Sequence, residues 1–340
     1  MNDITAMLLH ITLGTLLMTI LAVTGGFILQ GIDRKLAALM QARIGPPLIQ
    51  PYWDFKKLLC KENIVPEHAI PWLFNAAPLV AFATAVTVML YIPIAGFKPL
   101  LSGYGDLILV MYLLAIPALA MVAGGFASGS PYASLGAQRE MVMMIAYELP
   151  LGAAIISFAW KLAEAGVDHP FALQSIIENP IWGMVGPFGA MGACMLLLAM
   201  VMVTPGELSK VPFDAPEAKS ELADGLLVEY SGRNLAMYYL TLGTKMVVMA
   251  SLIIAMFVPY NISPLFNLSA QNGTGLHIAA NIIDIIFFMI KVLLVMFISM
   301  TLIRTAMARF RINQIMTMYW KYGGIMTLLG LILIMLDARL

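Results

Sequence analysis

An all-α integral membrane fold of about eight spanning helices is what this sequence predicts, and three observations carry the prediction. Hydrophobic residues make up 61% of the 340-residue chain and charged residues only 11%, with a mean hydropathy of +0.89; soluble domains carry roughly 25% charged residues. Apolar runs recur about eight times, each near the roughly 17–25 residues that the hydrocarbon thickness demands of a spanning helix. Lys and Arg gather in alternate connections, as in loops retained on the cytoplasmic side. No separate soluble domain fits between the runs, so residues 1–340 read as a single transmembrane domain.

The first run, Ala6–Ile32, lacks the charged flank and small-residue cleavage pattern of a removable signal and is expected to be the first span. Seven more follow, at about Trp72–Ala95, Leu107–Phe126, Met141–Trp160, Ile181–Val203, Leu235–Val258, Ile278–Thr301 and Tyr319–Leu336. Pro78, Pro93, Pro117 and Pro150 fall inside them and predict kinks rather than breaks, because neighbouring groups in a buried bundle re-satisfy the carbonyls that proline frees. The loops after spans one, three, five and seven, residues 33–71, 127–140, 204–234 and 302–321, hold fourteen of the 19 Lys and Arg residues. That bias predicts cytoplasmic loops and both termini outside.

In the first loop, Tyr52–Cys60 alternates apolar and charged residues at helical spacing, as an amphipathic helix lying at the membrane interface would. The outward loop 259–275 is uncharged and carries Asn-x-Ser/Thr at Asn261, Asn267 and Asn272; these are formal glycosylation acceptors in what reads as a solvated loop. Two cysteines, Cys60 and Cys194, and four scattered histidines do not supply a clustered Cys/His metal set, so no cofactor is expected in this chain. A net charge of zero argues against nucleic acid as a partner.

Chemistry is expected where ionisable groups enter the bilayer, since each costs roughly 2.5–3.5 kcal/mol on insertion scales. Within spans these are Glu148, beside Tyr147 and Pro150, together with Lys245, Asp284 and Lys291. Asp284 and Lys291 share one face of span seven at two-turn spacing, as either a relay or a static compensating pair. The segment Pro205–Gly232 holds Glu207, Asp214, Glu217, Glu221, Asp224 and Glu229 between two long apolar runs. Spacing places Asp214, Glu217, Glu221 and Asp224 on one helical stripe. Packed against a partner, such a row would share protons; exposed, it is an ordinary solvated face.

These residues also form recognisable motifs. Pro212-Phe-Asp-x-Pro-Glu-Ala-x-Ser-Glu221 and Glu229-Tyr-Ser-Gly232 resemble the signature of the eight-span membrane subunit shared by respiratory complex I and the energy-converting membrane-bound nickel–iron hydrogenases. Arg43-Ile-Gly-Pro46, Lys56-Lys-Leu-Leu-x-Lys-Glu62, Ser130-Pro-Tyr-Ala-Ser-Leu-Gly-Ala-Gln-Arg139, Tyr147-Glu148 and Arg304-x-x-x-Ala-Arg-x-Arg-x-x-Gln314 extend the resemblance over nearly the whole chain. The short Arg43-Ile-Gly-Pro-Pro47 turn, Lys219 and Leu242 at positions often acidic in quinone-linked members, and Lys245 resemble the hydrogenase and sulfane-reductase branch more closely.

The resemblance implies a prokaryotic plasma-membrane subunit that anchors a peripheral electron-transfer arm. Its partners would be hydrogenase-like large and small subunits, an iron–sulfur subunit and antiporter-like membrane subunits. Iron–sulfur clusters, and a nickel–iron centre where the acceptor is protons, would sit in those partners. By the same resemblance, Glu148, Glu207, Asp214, Glu217, Glu221 and Glu229 match acids of a proton path, to which Lys245, Asp284 and Lys291 are added from their place in the spans. Arg43, Arg139 and Glu140 fall at the junction with the arm. The implied role is non-catalytic coupling of electron flow, from ferredoxin to protons or a sulfur acceptor, to proton or sodium translocation. Two alternatives stand beside it: a quinone-site-forming subunit of a complex I-type enzyme, and a passive membrane anchor.

Overall fold

Among the described residues, eight helices are long and apolar enough to cross a membrane, at Ile11–Met40, Pro71–Met89, Leu107–Ala127, Pro131–Glu164, Pro187–Glu207, Gly232–Phe257, Ala280–Ala306 and Ile312–Asp337. The structure is a computed structural model, and it describes residues 2–101, 105–266 and 273–337, among which there is no β-strand. Asn267 and Asn272 lie outside the described residues.

Helix α1 (Asn2–Met40) continues past the expected end of the first span, through Asp33-Arg34-Lys35. Beyond Gly31 no Gly or Pro interrupts it until Gly45-Pro46, and Ala37 and Ala38 are buried, so the charged turn stays helical. The interfacial helix α2 (Gln50–Leu59) follows, with Pro51 in its first turn, where a missing N–H costs nothing. Helices α3 (Pro71–Met89) and α4 (Leu107–Ala127) pack along each other. α3 stops short of Ala95, and Pro93 lies beyond its end, whereas Pro78 and Pro117 remain inside helices.

The residues expected as a loop at 127–140 are mostly helix: α5 (Pro131–Glu164) begins at Pro131, directly after Ser130, and carries Arg139 and Glu140 in its third turn. The fixed φ of Pro131 suits a first helical position. α6 (Leu173–Glu178) is a short connector, and α7 (Pro187–Glu207) carries its helix to Glu207 despite Pro205.

The acidic segment departs most from expectation. Asp214, Glu217, Glu221 and Asp224 do not share a helical stripe, because the chain there is a tight turn at Ala215–Glu217, a one-turn helix α8 (Lys219–Leu222) and another turn at Gly225–Leu227. Pro212 and Pro216 deny the hydrogen bonds of a continuous helix, and Ala223, Asp224 and Gly225 all take positive φ. A Cβ on Gly225 would also meet the Pro216 carbonyl oxygen, so glycine alone fits this corner.

α9 (Gly232–Phe257) is the axis of the bundle: its apolar stretch is wholly buried, as expected of a helix hydrophobic all round. It crosses α1 where a Cβ on Gly26 would come within 2.5 Å of the Gly243 backbone, and the paired glycines let the two helices touch. α10 (Gly273–Met296) leads through a π-helical stretch, Phe297–Leu302, into α11 (Ile303–Ala306). The last span joins α12 (Ile312–Thr317), a second π-helical stretch at Met318–Gly323 and α13 (Gly324–Asp337). Only about five residues separate the last two spans, so most of the expected loop 302–321 is helical.

Candidate proton path

Tertiary packing gathers most of the predicted acids into one buried cluster at the end of the bundle that carries the basic loops. Glu207, the last residue of α7, is 1% exposed, and Lys245 of α9 is fully buried. The Lys245 ammonium stands 2.7 Å from Glu207 Oε1 and donates to the Glu207 backbone carbonyl at 2.8 Å. A lone buried charge would be very costly, and this geometry supplies both a countercharge and an acceptor.

Glu140 of α5 is also 1% exposed and accepts from the Ser209 hydroxyl at 3.2 Å. It lies within the electrostatic reach of Lys245, Glu217 and Glu207. About two turns further along α5, Tyr147 and Glu148 continue the row. The Tyr147 hydroxyl is buried among the Glu207, Glu140 and Glu148 carboxylates, and half-buried Glu148 feels the Glu207 charge in turn. Tyr319, placed by the second π-helical stretch, sets its ring edge against Tyr147 at 6.2 Å and donates to the Met202 carbonyl at 3.0 Å.

Towards the loops the row passes to Glu217 and Lys210. Burial raises the Glu217 carboxyl above the usual carboxylate range, with Lys210 opposing the shift. Burial likewise lowers the Lys210 ammonium, with Glu217 opposing. Each partner thus titrates closer to neutrality than it would in water. Asp214 accepts from Arg309 Nε at 2.8 Å and Nη2 at 2.5 Å, a two-pronged pairing that also holds the connection before α12. The Asp214 hydrogen bond raises the Arg309 guanidinium further above its ordinary value.

The remaining predicted residues take other positions. Glu221 is exposed and paired with Arg139 at 2.7 Å, and the Arg139 hydrogen bond holds its carboxyl below the ordinary value. Asp224 pairs with Lys219 at 3.2 Å on the surface. Glu229 is partly exposed and makes no ion pair or side-chain hydrogen bond among the described residues. Arg43 stands in the exposed turn after α1, donating to Gln41 at 3.0 Å, apart from the cluster. Asp284 and Lys291 make no direct ion pair, although Asp284 lies within electrostatic reach of Lys291. Asp284 accepts from the Ile262 and Ser263 amides at 3.2 and 2.9 Å, and Lys291 donates to the Val258 and Tyr260 carbonyls, both at 2.9 Å. Both therefore hold the connection after α9, at the opposite end of the bundle.

Sequence reasoning passed over Asp33. It is buried on α1, accepts from Thr301 at 2.8 Å and pairs with Arg304 at 2.6 Å, next to the first π-helical stretch. Its position just past an apolar run, with Arg34 and Lys35 following, made it look like part of a solvated basic loop. Ser209 and Lys210 were equally unmarked, although both stand within three residues of Glu207. Among the described residues no three or more His, Cys, Asp or Glu side chains come together as a metal set.

The chain as a whole has known relatives. The profile of the NADH dehydrogenase family matches residues 12–335. The chain belongs to this family. Over 99% of its length it is 31% identical to an NADH-quinone oxidoreductase subunit of Syntrophotalea carbinolica, covering 98% of that protein. Over 85% of its length it is 32% identical to hydrogenase-4 component C of Escherichia coli K12, again covering 85% of the relative. The solved structure of the membrane-bound sulfane sulfur reductase, an archaeal respiratory membrane complex, contains a chain that superposes with a TM-score of 0.80 at 28% identity, covering 95% of this chain and 99% of that one. Family members of both the complex I and the hydrogenase type are thus similar to it along most of their length. The protein is a multi-pass membrane subunit of an oxidoreductase complex of the prokaryotic plasma membrane.

Proposed function

We propose that this chain couples electron transfer in a peripheral arm to ion translocation in the membrane, within a complex of the energy-converting hydrogenase or sulfane-reductase type. One observation carries the reading: the buried row from Asp214 and Glu217 through Glu140 and the Glu207–Lys245 pair to Tyr147 and Glu148. A passive anchor has no need for such a row of carboxylates and lysines in and beneath the bilayer, each opposed by an insertion cost. Close carboxylates share protons, so a charge change at the arm would shift protonation along the row and reach Glu148 at the side of the bundle.

The arm itself would dock at the basic end, where an open cleft of about 420 Å³ is lined by Arg139, Arg309, Arg311 and Glu221. Hydrogenase-like large and small subunits and an iron–sulfur subunit would supply the electron path there, with antiporter-like subunits receiving the signal laterally. The expected donor is ferredoxin and the expected acceptor protons or a sulfur compound. Lys219 and Lys245, together with the short Arg43 turn, favour this branch over a quinone site.

The test is the ion-to-electron ratio of the intact complex in membrane vesicles bearing Glu148→Gln or Asp214→Asn. Electron transfer persisting with a reduced ratio supports coupling through the row. An unchanged ratio in both variants refutes it.

A further inference from the structure

At the basic-loop end, α1, α2 and α9 line a crevice of about 200 Å³ that shares no lining residue with the buried acid row, although Tyr239 in its wall lies within the electrostatic reach of Glu217. Its apolar wall is made by Phe27, Phe55, Leu58 and Leu235, and its rim carries Arg34, Lys57, Lys61 and Asp54. Arg34 and Asp54 neutralise each other at 2.8 Å, so the rim keeps the two charges of Lys57 and Lys61, neither of which forms an ion pair among the described residues. The cavity is smaller than the roughly 300–1,000 Å³ that encloses a whole drug-sized ligand. It suits a headgroup whose chains remain in the bilayer.

The position of α2 supports such a ligand. Tyr52 and Trp53 are about half exposed, and Lys56 lies over the Trp53 ring at 5.5 Å. Aromatic and basic side chains together on one short helix mark the headgroup layer. The crevice lies beside them and combines apolar side chains with the Lys57 and Lys61 ammonium groups.

We propose that this crevice binds the phosphodiester headgroup of an anionic membrane lipid, held by Lys57 and Lys61, with its chains along Phe27, Phe55 and Leu235. A basic side chain near an anionic lipid surface favours binding about five-fold, hence roughly thirty-fold for two. A neutral lipid-soluble carrier such as a quinone offers these ammonium groups no countercharge.

The experiment is native mass spectrometry of the purified, delipidated complex exposed to limiting phosphatidylglycerol or phosphatidylcholine. Wild type is expected to retain phosphatidylglycerol preferentially. Lys57→Gln with Lys61→Gln should cut that preference about thirty-fold, whereas Lys57→Arg with Lys61→Arg, and Lys35→Gln with Lys56→Gln outside the crevice, should keep it. Should the glutamine pair fail to assemble, the preference of wild type must still fall steeply with salt. Equal retention of both lipids, an equal loss in the Lys35 and Lys56 variant, or a neutral quinone recovered in place of phospholipid would overturn the assignment. None of these outcomes depends on ion translocation.

Discussion

Replacing Lys245 by Met tests whether the buried Glu207–Lys245 pair is energetically coupled. At 2.7 Å, opposite unit charges attract by about 6 kcal/mol if the effective dielectric constant is about 20. Desolvation of two ions takes back several kcal/mol each, so the intact pair adds little net stability. Removing one partner is different. Lys245→Met leaves Glu207 buried with no countercharge, and Glu207→Gln does the same to Lys245; each is expected to cost about 3–5 kcal/mol. The double variant removes both charges and should lie near wild type.

The assay is hydrogen exchange, read by mass spectrometry on peptides from the end of α7 and the middle of α9 in the intact complex. At about 1.36 kcal/mol per decade, each single variant should lose roughly two to four orders of magnitude of protection in these segments. The double variant should recover most of it. Single-variant losses under about ten-fold, or losses that simply add in the double variant, would refute the coupled-pair reasoning.

Three further outcomes follow from the geometry. Arg309→Ala removes both prongs from Asp214 at the bundle's edge and should cost about 1–2 kcal/mol after discounting for solvent, seen as faster exchange over residues 212–222. For Glu217, whose carboxyl is raised by burial in the folded protein, stability is greatest in acid and falls as pH climbs from the unfolded value of 4.5 through the raised folded one; a thermal-melting series should show this slope flattened by Glu217→Gln. Gly26→Ala drives a methyl group into the Gly243 backbone, and the forced separation of α1 from α9 should cost about 1–3 kcal/mol and lower the yield of assembled complex, whereas Gly25→Ala, with only ordinary contact to Val247, should not.

Apolar length and Lys/Arg placement were enough to predict eight spans from the sequence, since each helix satisfies its own backbone and must match one bilayer thickness. Crowding of acids between apolar runs and the family resemblance likewise singled out Glu207, Asp214, Glu217 and Glu148 within the linear chain. The stripe failed because periodicity counts residues and ignores the turns that Pro212, Pro216 and Gly225 impose. Asp284 and Lys291 illustrate a related limit. Helical spacing put them on one face, yet each found backbone partners in the connection after α9, which no local pattern encodes.

The sequence by itself therefore determined that this is a helical membrane subunit with acids concentrated beside one bundle end. Only the tertiary structure decided which acids meet. Glu140 comes from α5, Glu207 from α7 and Lys245 from α9, three helices far apart in the chain, and Asp33 meets Arg304 across α1 and α11. Such pairings are fixed by how helix faces pack and by the cost of burying an unpaired charge, and both are properties of the assembled bundle rather than of any one stretch.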